Sequence, residues 1–104
     1  MRIIQDVDDG LVRLSLIGEL DMATVQPLCD RVEQAIKSGA SGLVIDLAGL
    51  SFCDSSGIRA LMDARKAATS RGVAFQATNP QGVTRRTMEV TGVLDVLTTA
   101  TAAA

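Results

Sequence analysis

The most constraining feature of this sequence is a short apolar run, LVIDL at residues 43–47, which lies between two segments with helical spacing. A continuous apolar and β-branched run predicts a strand that is covered on both faces. Before it, Val25, Leu28, Val32 and Ile36 form one apolar stripe at helical spacing. Strands that alternate with helices in this way run parallel, which predicts an α/β fold.

The first part of the chain predicts a hairpin followed by a helix. Strands are expected at residues 3–7 and 11–17, because the turn between them, DDG at 8–10, holds residue types that tolerate positive φ. The helix is expected to begin after Thr24 as N-cap. Pro27 then occupies the third helical position, where a missing N–H group costs nothing.

The second half predicts a further alternation of elements. A helix is expected from residue 54 to 71, a strand at 73–78, and a helix at 80–91 with Asn79 as N-cap and Pro80 at its first position. Residues 93–97 form a last apolar segment that could add a strand. We therefore predict one α/β domain at residues 1–97, a mixed sheet of four to five strands in the order β-β-α-β-α-β-α, followed by a fraying tail at 98–104.

Composition excludes several classes of function. The 104 residues include no histidine, so neither a Ser–His–Asp nor a Cys–His catalytic site can form within the chain. Cys29 and Cys53 fall on different predicted elements, which does not suit a zinc site. We expect no enzyme activity, no cofactor and no bound metal.

Charge and hydropathy limit the partners and the cellular compartment that we expect for the protein. The net charge is −2, and acids and bases are interspersed, which argues against a nucleic-acid partner. No apolar run approaches the roughly 20 residues that span a bilayer, and the first residues do not resemble a signal peptide. Two thiols without an export signal favour a reducing cytoplasm, with no membrane partner.

Two predicted loops carry the polar residues of most interest. They are residues 19–23 and 48–55, and each follows a strand at the carboxyl edge of the predicted sheet. Because the two strands are expected to be parallel neighbours, the loops should lie side by side and bring Asp21, Asp54 and Ser55 onto one exposed surface. Within the second loop we expect Leu50 and Phe52 to be buried.

The second helix opens with an unusual sequence, DSSG at 54–57. Asp54 or Ser55 could cap the free N–H groups of the helix. One capping residue suffices, so capping leaves Ser56 and Gly57 unexplained. Glycine in a first turn costs up to about 1 kcal/mol relative to alanine. Gly57 therefore indicates that something approaches the backbone at this point.

Two motifs resemble a known family. GELD at 18–21 and LSFCDSSGI at 50–58 resemble the STAS domain family, specifically its anti-sigma factor antagonists, and the resemblance extends to about Leu97. It implies that Ser55 is phosphorylated by a partner that is both an anti-sigma factor and a GHKL-type serine kinase. The unphosphorylated protein would bind this partner and free the sigma factor, and a PP2C-type phosphatase would reset the switch.

The resemblance also suggests which residues meet the partner, namely Asp21, Asp54, Ser55, Ser56, Gly57 and Ile58. Alternatives remain at several of these positions. Ser55 could be only a cap, and Ser56 a structural neighbour or a second acceptor. The two aspartates could contact a partner or only stabilise their loops.

The other open questions concern Cys53 and the class of function. For Cys53 we expect a buried apolar role rather than a nucleophilic one. The alternative function is a non-phosphorylated STAS subunit of a lipid-transport ABC system, which would use the same surface. An enzyme is the third and least favoured class.

Overall fold

The computed structural model describes residues 1–102. In this part of the chain the elements are β1 (Arg2–Asp8), β2 (Leu11–Leu20), α1 (Val25–Lys37), β3 (Gly42–Cys53), α2 (Ser55–Ser70), β4 (Ala74–Thr78), α3 (Gly82–Thr91) and α4 (Leu94–Thr98). The predicted α/β class and order are confirmed. The last apolar segment, however, forms the helix α4 and not a fifth strand.

The four strands form one mixed sheet in the order β1-β2-β3-β4. β1 and β2 are antiparallel, and both β2–β3 and β3–β4 are parallel. The hairpin turn between β1 and β2 consists of Asp9 and Gly10, with φ values of 51° and 84°. Positive φ at both central residues defines the tight turn whose twist matches a two-stranded hairpin.

The core lies between the sheet and the helices. Val12, Leu14 and Leu16 of β2 alternate with more exposed residues, and the buried face of α1 presents Leu28 and Val32. In β3, Leu43, Ile45 and Leu47 are buried while Val44 and Asp46 remain partly exposed. The expectation that this strand is covered on both faces is therefore wrong: it buries one face fully.

β3 is longer than predicted, because the expected connection at 48–53 is strand. Its pairing with β2 continues to Leu20 opposite Cys53, with irregular register after Ser15 and after Gly18. Leu50 is buried as expected, but Phe52 is 40 % exposed, so its predicted burial is wrong.

α3 covers the edge of β3 where this strand extends past β4. β4 ends opposite Asp46, which leaves the last part of β3 without a strand on that side. The buried Thr84 of α3 donates a hydrogen bond from its hydroxyl to the carbonyl oxygen of Leu50, at 3.1 Å. A buried carbonyl of the extended strand thereby gains a partner.

The structure corrects two boundaries near the C-terminus. α3 has Gln81 as N-cap, not Asn79, because Asn79 takes a left-handed conformation with φ 57°. Thr101 bonds through its N–H to the Phe75 carbonyl at 2.9 Å, and its hydroxyl accepts from the Phe75 N–H at 2.8 Å. Contacts with the domain thus continue past Leu97, while residues 103–104 of the predicted tail lie outside the described residues.

Within residues 1–102, no helix is long and apolar enough to cross a membrane.

Thr84 offers a test of how α3 is attached. Thr84→Val keeps the shape of the side chain but leaves the Leu50 carbonyl without its partner. We expect the free energy of unfolding to fall by about 1–2 kcal/mol in urea titration. The control is Thr87→Val, since the Thr87 hydroxyl donates within its own helix, to the Val83 carbonyl. Equal stability of the two variants would contradict the assigned role of Thr84.

Candidate functional site

The candidate site lies where β2 and β3 end together. Leu20 and Cys53 are the last paired residues, and the Asp54 N–H donates to the Leu20 carbonyl oxygen at 3.2 Å. Asp21 and Asp54 each follow directly, at the carboxyl edge of the sheet. Asp21 and Asp54 therefore follow adjacent strand ends, as the strand directions predict, although residues 19–20 and 48–53 are strand and not loop.

Asp54 is the N-cap of α2. Its backbone is extended, with φ −90° and ψ −173°, and its Oδ1 accepts a hydrogen bond from the Gly57 N–H at 2.9 Å. The Asp54 carbonyl accepts from the Ile58 N–H, also at 2.9 Å, which is the first bond of the helix. Ser55 is the exposed first residue of the helix, and its hydroxyl takes no part in this cap.

Gly57 is explained by packing within the chain. A Cβ atom at this position would lie 2.6 Å from the Cys53 Sγ and 2.7 Å from the Leu20 carbonyl oxygen. Both distances are too short for any side chain. What approaches the Gly57 backbone is therefore the paired end of β2 and β3. The first turn of α2 rests directly on that end.

Cys53 is a core residue. Its side chain is 1 % exposed and contacts the first turn of α2. Burial, together with the negative charge of Asp54, raises the pKa of the Cys53 thiol from 9.0 to about 12. A thiol with this pKa is protonated at neutral pH and is a poor nucleophile, in agreement with the apolar role expected from the sequence.

Asp21 organises the loop between β2 and α1. Its Oδ1 accepts from the Ala23 N–H at 2.9 Å, and its own N–H donates to the Thr24 Oγ1, also at 2.9 Å. The Thr24 hydroxyl donates in turn to the Glu19 carbonyl at 2.9 Å. Thr24 precedes α1 as predicted, but its hydroxyl fastens the loop and does not cap the helix. Glu19 was expected in this loop and instead belongs to β2.

The predicted site residues divide into two groups. Ser55 is exposed, and Asp21, Asp54 and Ser56 are partly exposed. Gly57 and Ile58 are buried against the core, and their contact with a partner stays a prediction. We call the set Asp21, Asp54, Ser55 and Ser56 the switch surface.

Two apolar residues beside the switch surface were missed from the sequence. Met22 follows Asp21 and is 78 % exposed, and Phe52 lies on β3 opposite Glu19. Single exposed apolar side chains are common on protein surfaces, so it is their position next to Asp21 and Asp54 in the chain that makes these two residues contact candidates. Met22 could have been suspected, because the helix start at Thr24 already leaves it in the loop.

Comparison with known proteins identifies the family. The family model described as "Mlab, STAS domain" matches residues 5–99, which is nearly the whole chain. The chain belongs to the STAS domain family. The resemblance noted in the two motifs is confirmed.

Curated relatives include proteins of two kinds. The anti-sigma-F factor antagonist RsfB of Mycobacterium tuberculosis is 29 % identical over 84 residues, 81 % of this chain and 68 % of RsfB. A low affinity sulfate transporter of Stylosanthes hamata is 33 % identical over 66 residues, 64 % of this chain. The aligned part is 10 % of that transporter, so this chain spans only a small share of its length.

Solved structures with this fold include anti-sigma factor antagonists. The antagonist from Mycobacterium paratuberculosis has a TM-score of 0.75 at 28 % identity, covering 93 % of this chain and 81 % of that one. The Bacillus cell fate determinant SpoIIAA in its phosphorylated form has a TM-score of 0.66 at 25 % identity, covering 94 % and 89 % of the two chains.

Gly57 allows the packing of the site to be tested. Gly57→Ala forces a methyl group against the Cys53 Sγ and the Leu20 carbonyl. We expect the free energy of unfolding to fall by about 2 kcal/mol or more, because both neighbours are held by the sheet. The matched control is Ser56→Ala in the same helical turn, expected to stay within about 0.5 kcal/mol in the same denaturant titration. A Gly57→Ala protein as stable as the control would refute this contact.

Proposed function

We propose that this protein is an anti-sigma factor antagonist that is switched by phosphorylation of Ser55. The single observation that carries the proposal is that the helix cap and the exposed hydroxyl at the start of α2 belong to different residues. Asp54 alone caps the helix, at 2.9 Å from the Gly57 N–H, and the adjacent Ser55 hydroxyl stays exposed and outside the cap. Similarity to RsfB and to the phosphorylated form of SpoIIAA supports the same assignment.

A phosphate on Ser55 suits this place in the fold. It would add about −1.5 to −2 charges at the positive end of the α2 dipole, where negative charge is favourable. Since the Ser55 hydroxyl makes no cap bond, modification removes nothing that holds the helix. The phosphorylated domain therefore stays folded, and the modification changes the surface alone.

The partner in this proposal is an anti-sigma factor with GHKL-type serine kinase activity. It would dock on the switch surface, with Met22 and Phe52 as apolar contacts beside it. Phosphate on Ser55 would stand beside Asp21 and Asp54 and concentrate negative charge there. Burying an uncompensated charge in an interface costs several kcal/mol, and each 1.4 kcal/mol is tenfold in affinity. One phosphate is then enough to release the partner.

The cycle is completed by other proteins. A PP2C-type phosphatase would remove the phosphate, and free anti-sigma factor would again be captured, which regulates sigma-factor-dependent transcription in the cytoplasm. The chain itself acts as a regulatory binding protein and not as an enzyme. Burial and the charge of Asp54 raise the pKa of the Cys53 thiol to about 12, which disfavours a nucleophilic role for this residue.

A second candidate function is that of a STAS domain that serves a transport system without being phosphorylated. Two observations favour it: the matching family model is described as "Mlab, STAS domain", and one relative is a sulfate transporter. A subunit of a lipid-transport ABC system would hold an ATPase through the same switch surface. Phosphorylation of Ser55 would play no part in that function.

Phosphate transfer tests the choice of acceptor. With ATP and an anti-sigma factor kinase that binds this chain, we expect intact-mass spectrometry to show one added phosphate, and peptide mapping to place it on Ser55. Ser55→Ala should abolish the modification. The matched variant Ser56→Ala should keep it, because Ser56 is the less exposed neighbour in the same turn. Phosphate found chiefly on Ser56 would overturn the assignment.

A further inference from the structure

The free edge of β1 is a surface that the proposed function does not use. In the sheet formed by residues 1–102, β1 has a neighbour on one side only. Ile4 and Val7 are 45 % and 58 % exposed, and Gln5 is exposed as well. An exposed edge strand presents unpaired N–H and C=O groups that can pair with another strand.

The hairpin decides which residues present these groups. Asp8 and Leu11 flank a two-residue turn, so they form a hydrogen-bonded pair, and such pairs alternate along an antiparallel ladder. The even-numbered residues of β1 therefore form the main-chain hydrogen bonds with β2. Ile3, Gln5 and Val7 direct their N–H and C=O groups away from β2, toward the free edge.

The sequence of β1, RIIQDVD, is complementary to its own reverse at both ends and around the centre, whereas Ile4 would lie opposite Asp6. If two copies overlap fully and antiparallel, Gln5 lies opposite Gln5, Ile3 opposite Val7, and Arg2 opposite Asp8. The residues with free main-chain groups then face one another, as hydrogen-bonded pairs require. Arg2 also lies diagonally next to Asp6 of the second copy, and unlike charges at these positions stabilise a sheet.

The alternative pairing is disfavoured by the same charges. In a parallel arrangement of two β1 strands each residue would face its own copy. Arg2 would then oppose Arg2, and both Asp6 and Asp8 would oppose themselves. Like charges directly opposite one another destabilise strand pairs. Charged residues on an edge strand usually prevent pairing with another strand. In β1 the two ends carry opposite charges, which permits the antiparallel orientation and disfavours the parallel one.

We propose that β1 is a docking edge for a second copy of this chain, paired antiparallel about Gln5 to form a two-fold symmetric dimer with a continuous sheet. Each copy contributes three N–H donors and three C=O acceptors, from Ile3, Gln5 and Val7. In a two-fold interface each contact occurs twice, so two Arg2–Asp8 ion pairs close its ends. The inference does not rest on the proposed function, since Ser55 lies at the ends of β2 and β3 and not on this edge.

Sedimentation velocity of the full chain, from micromolar to millimolar concentration, tests the proposal. We expect the mass to rise from the 10.9 kDa monomer to twice that value. Gln5→Pro removes an N–H that faces the free edge and leaves the β1–β2 ladder intact, so it should abolish the dimer. The matched control Gln5→Ala keeps the N–H and also loses the contact of Gln5 with Arg31, so it should still dimerise.

A charge exchange tests the register. Arg2→Asp and Asp8→Arg each create two like-charge pairs and should weaken the dimer by roughly tenfold. The double variant, with both Arg2→Asp and Asp8→Arg, restores the pairs of unlike charge and should dimerise like the wild type. Should Gln5→Pro fail to fold by circular dichroism, the charge series decides. A wild-type chain that stays monomeric at millimolar concentration, a double exchange as weak as the single ones, or a dimer broken by Val90→Asp on α3 instead would each overturn the proposal.

Discussion

The contact between the first turn of α2 and the joined ends of β2 and β3 is the constraint on which the site depends. Gly57 lies so close to the Leu20 carbonyl and the Cys53 Sγ that no side chain fits between them. The Asp54 N–H bonds to the same Leu20 carbonyl. The start of the helix is thus fixed to the sheet, and the direction in which Ser55 faces solvent is fixed with it.

This arrangement separates stability from signalling. Asp54, Gly57 and Cys53 hold the helix start through a cap, a close approach and a buried thiol. Ser55 lies one residue past the cap and contributes to none of these contacts. In the proposed switch, a charge can be added to Ser55 at the favourable end of the helix dipole, while the residues that hold the fold are unchanged.

The sequence predicted those elements whose signals are local. Pro27 placed the start of α1 correctly after Thr24, and the predicted ends of α2 and α3 at residues 71 and 91 lie within one residue of the observed ends. The position of Asp21 beside Asp54 followed from strand direction alone. These features are decided by a few neighbouring residues and by the rule that helix-connected strands run parallel.

The features that were missed are decided by distant contacts. Residues 48–53 were predicted as a connection, yet Gly49 lies in β3 because β2 pairs with it, and a Cβ there would lie 2.9 Å from the Leu16 carbonyl. The apolar segment at 93–97 is too short for its periodicity to distinguish helix from strand. Gly57 was recognised as a point of close approach, but the sequence could not show that the neighbour is the chain itself.

The central claim is that charge on Ser55 controls binding without altering the fold. Calorimetric titration of Ser55→Ala and Ser55→Asp against the same anti-sigma factor tests it most directly, with circular dichroism to show that both variants are folded. Ser55→Ala adds no charge and should bind like the wild type. Ser55→Asp should bind at least tenfold more weakly, a loss on the order of 1.4 kcal/mol. Equal affinity of the two folded variants would contradict the account and favour a STAS subunit that binds its partner constitutively.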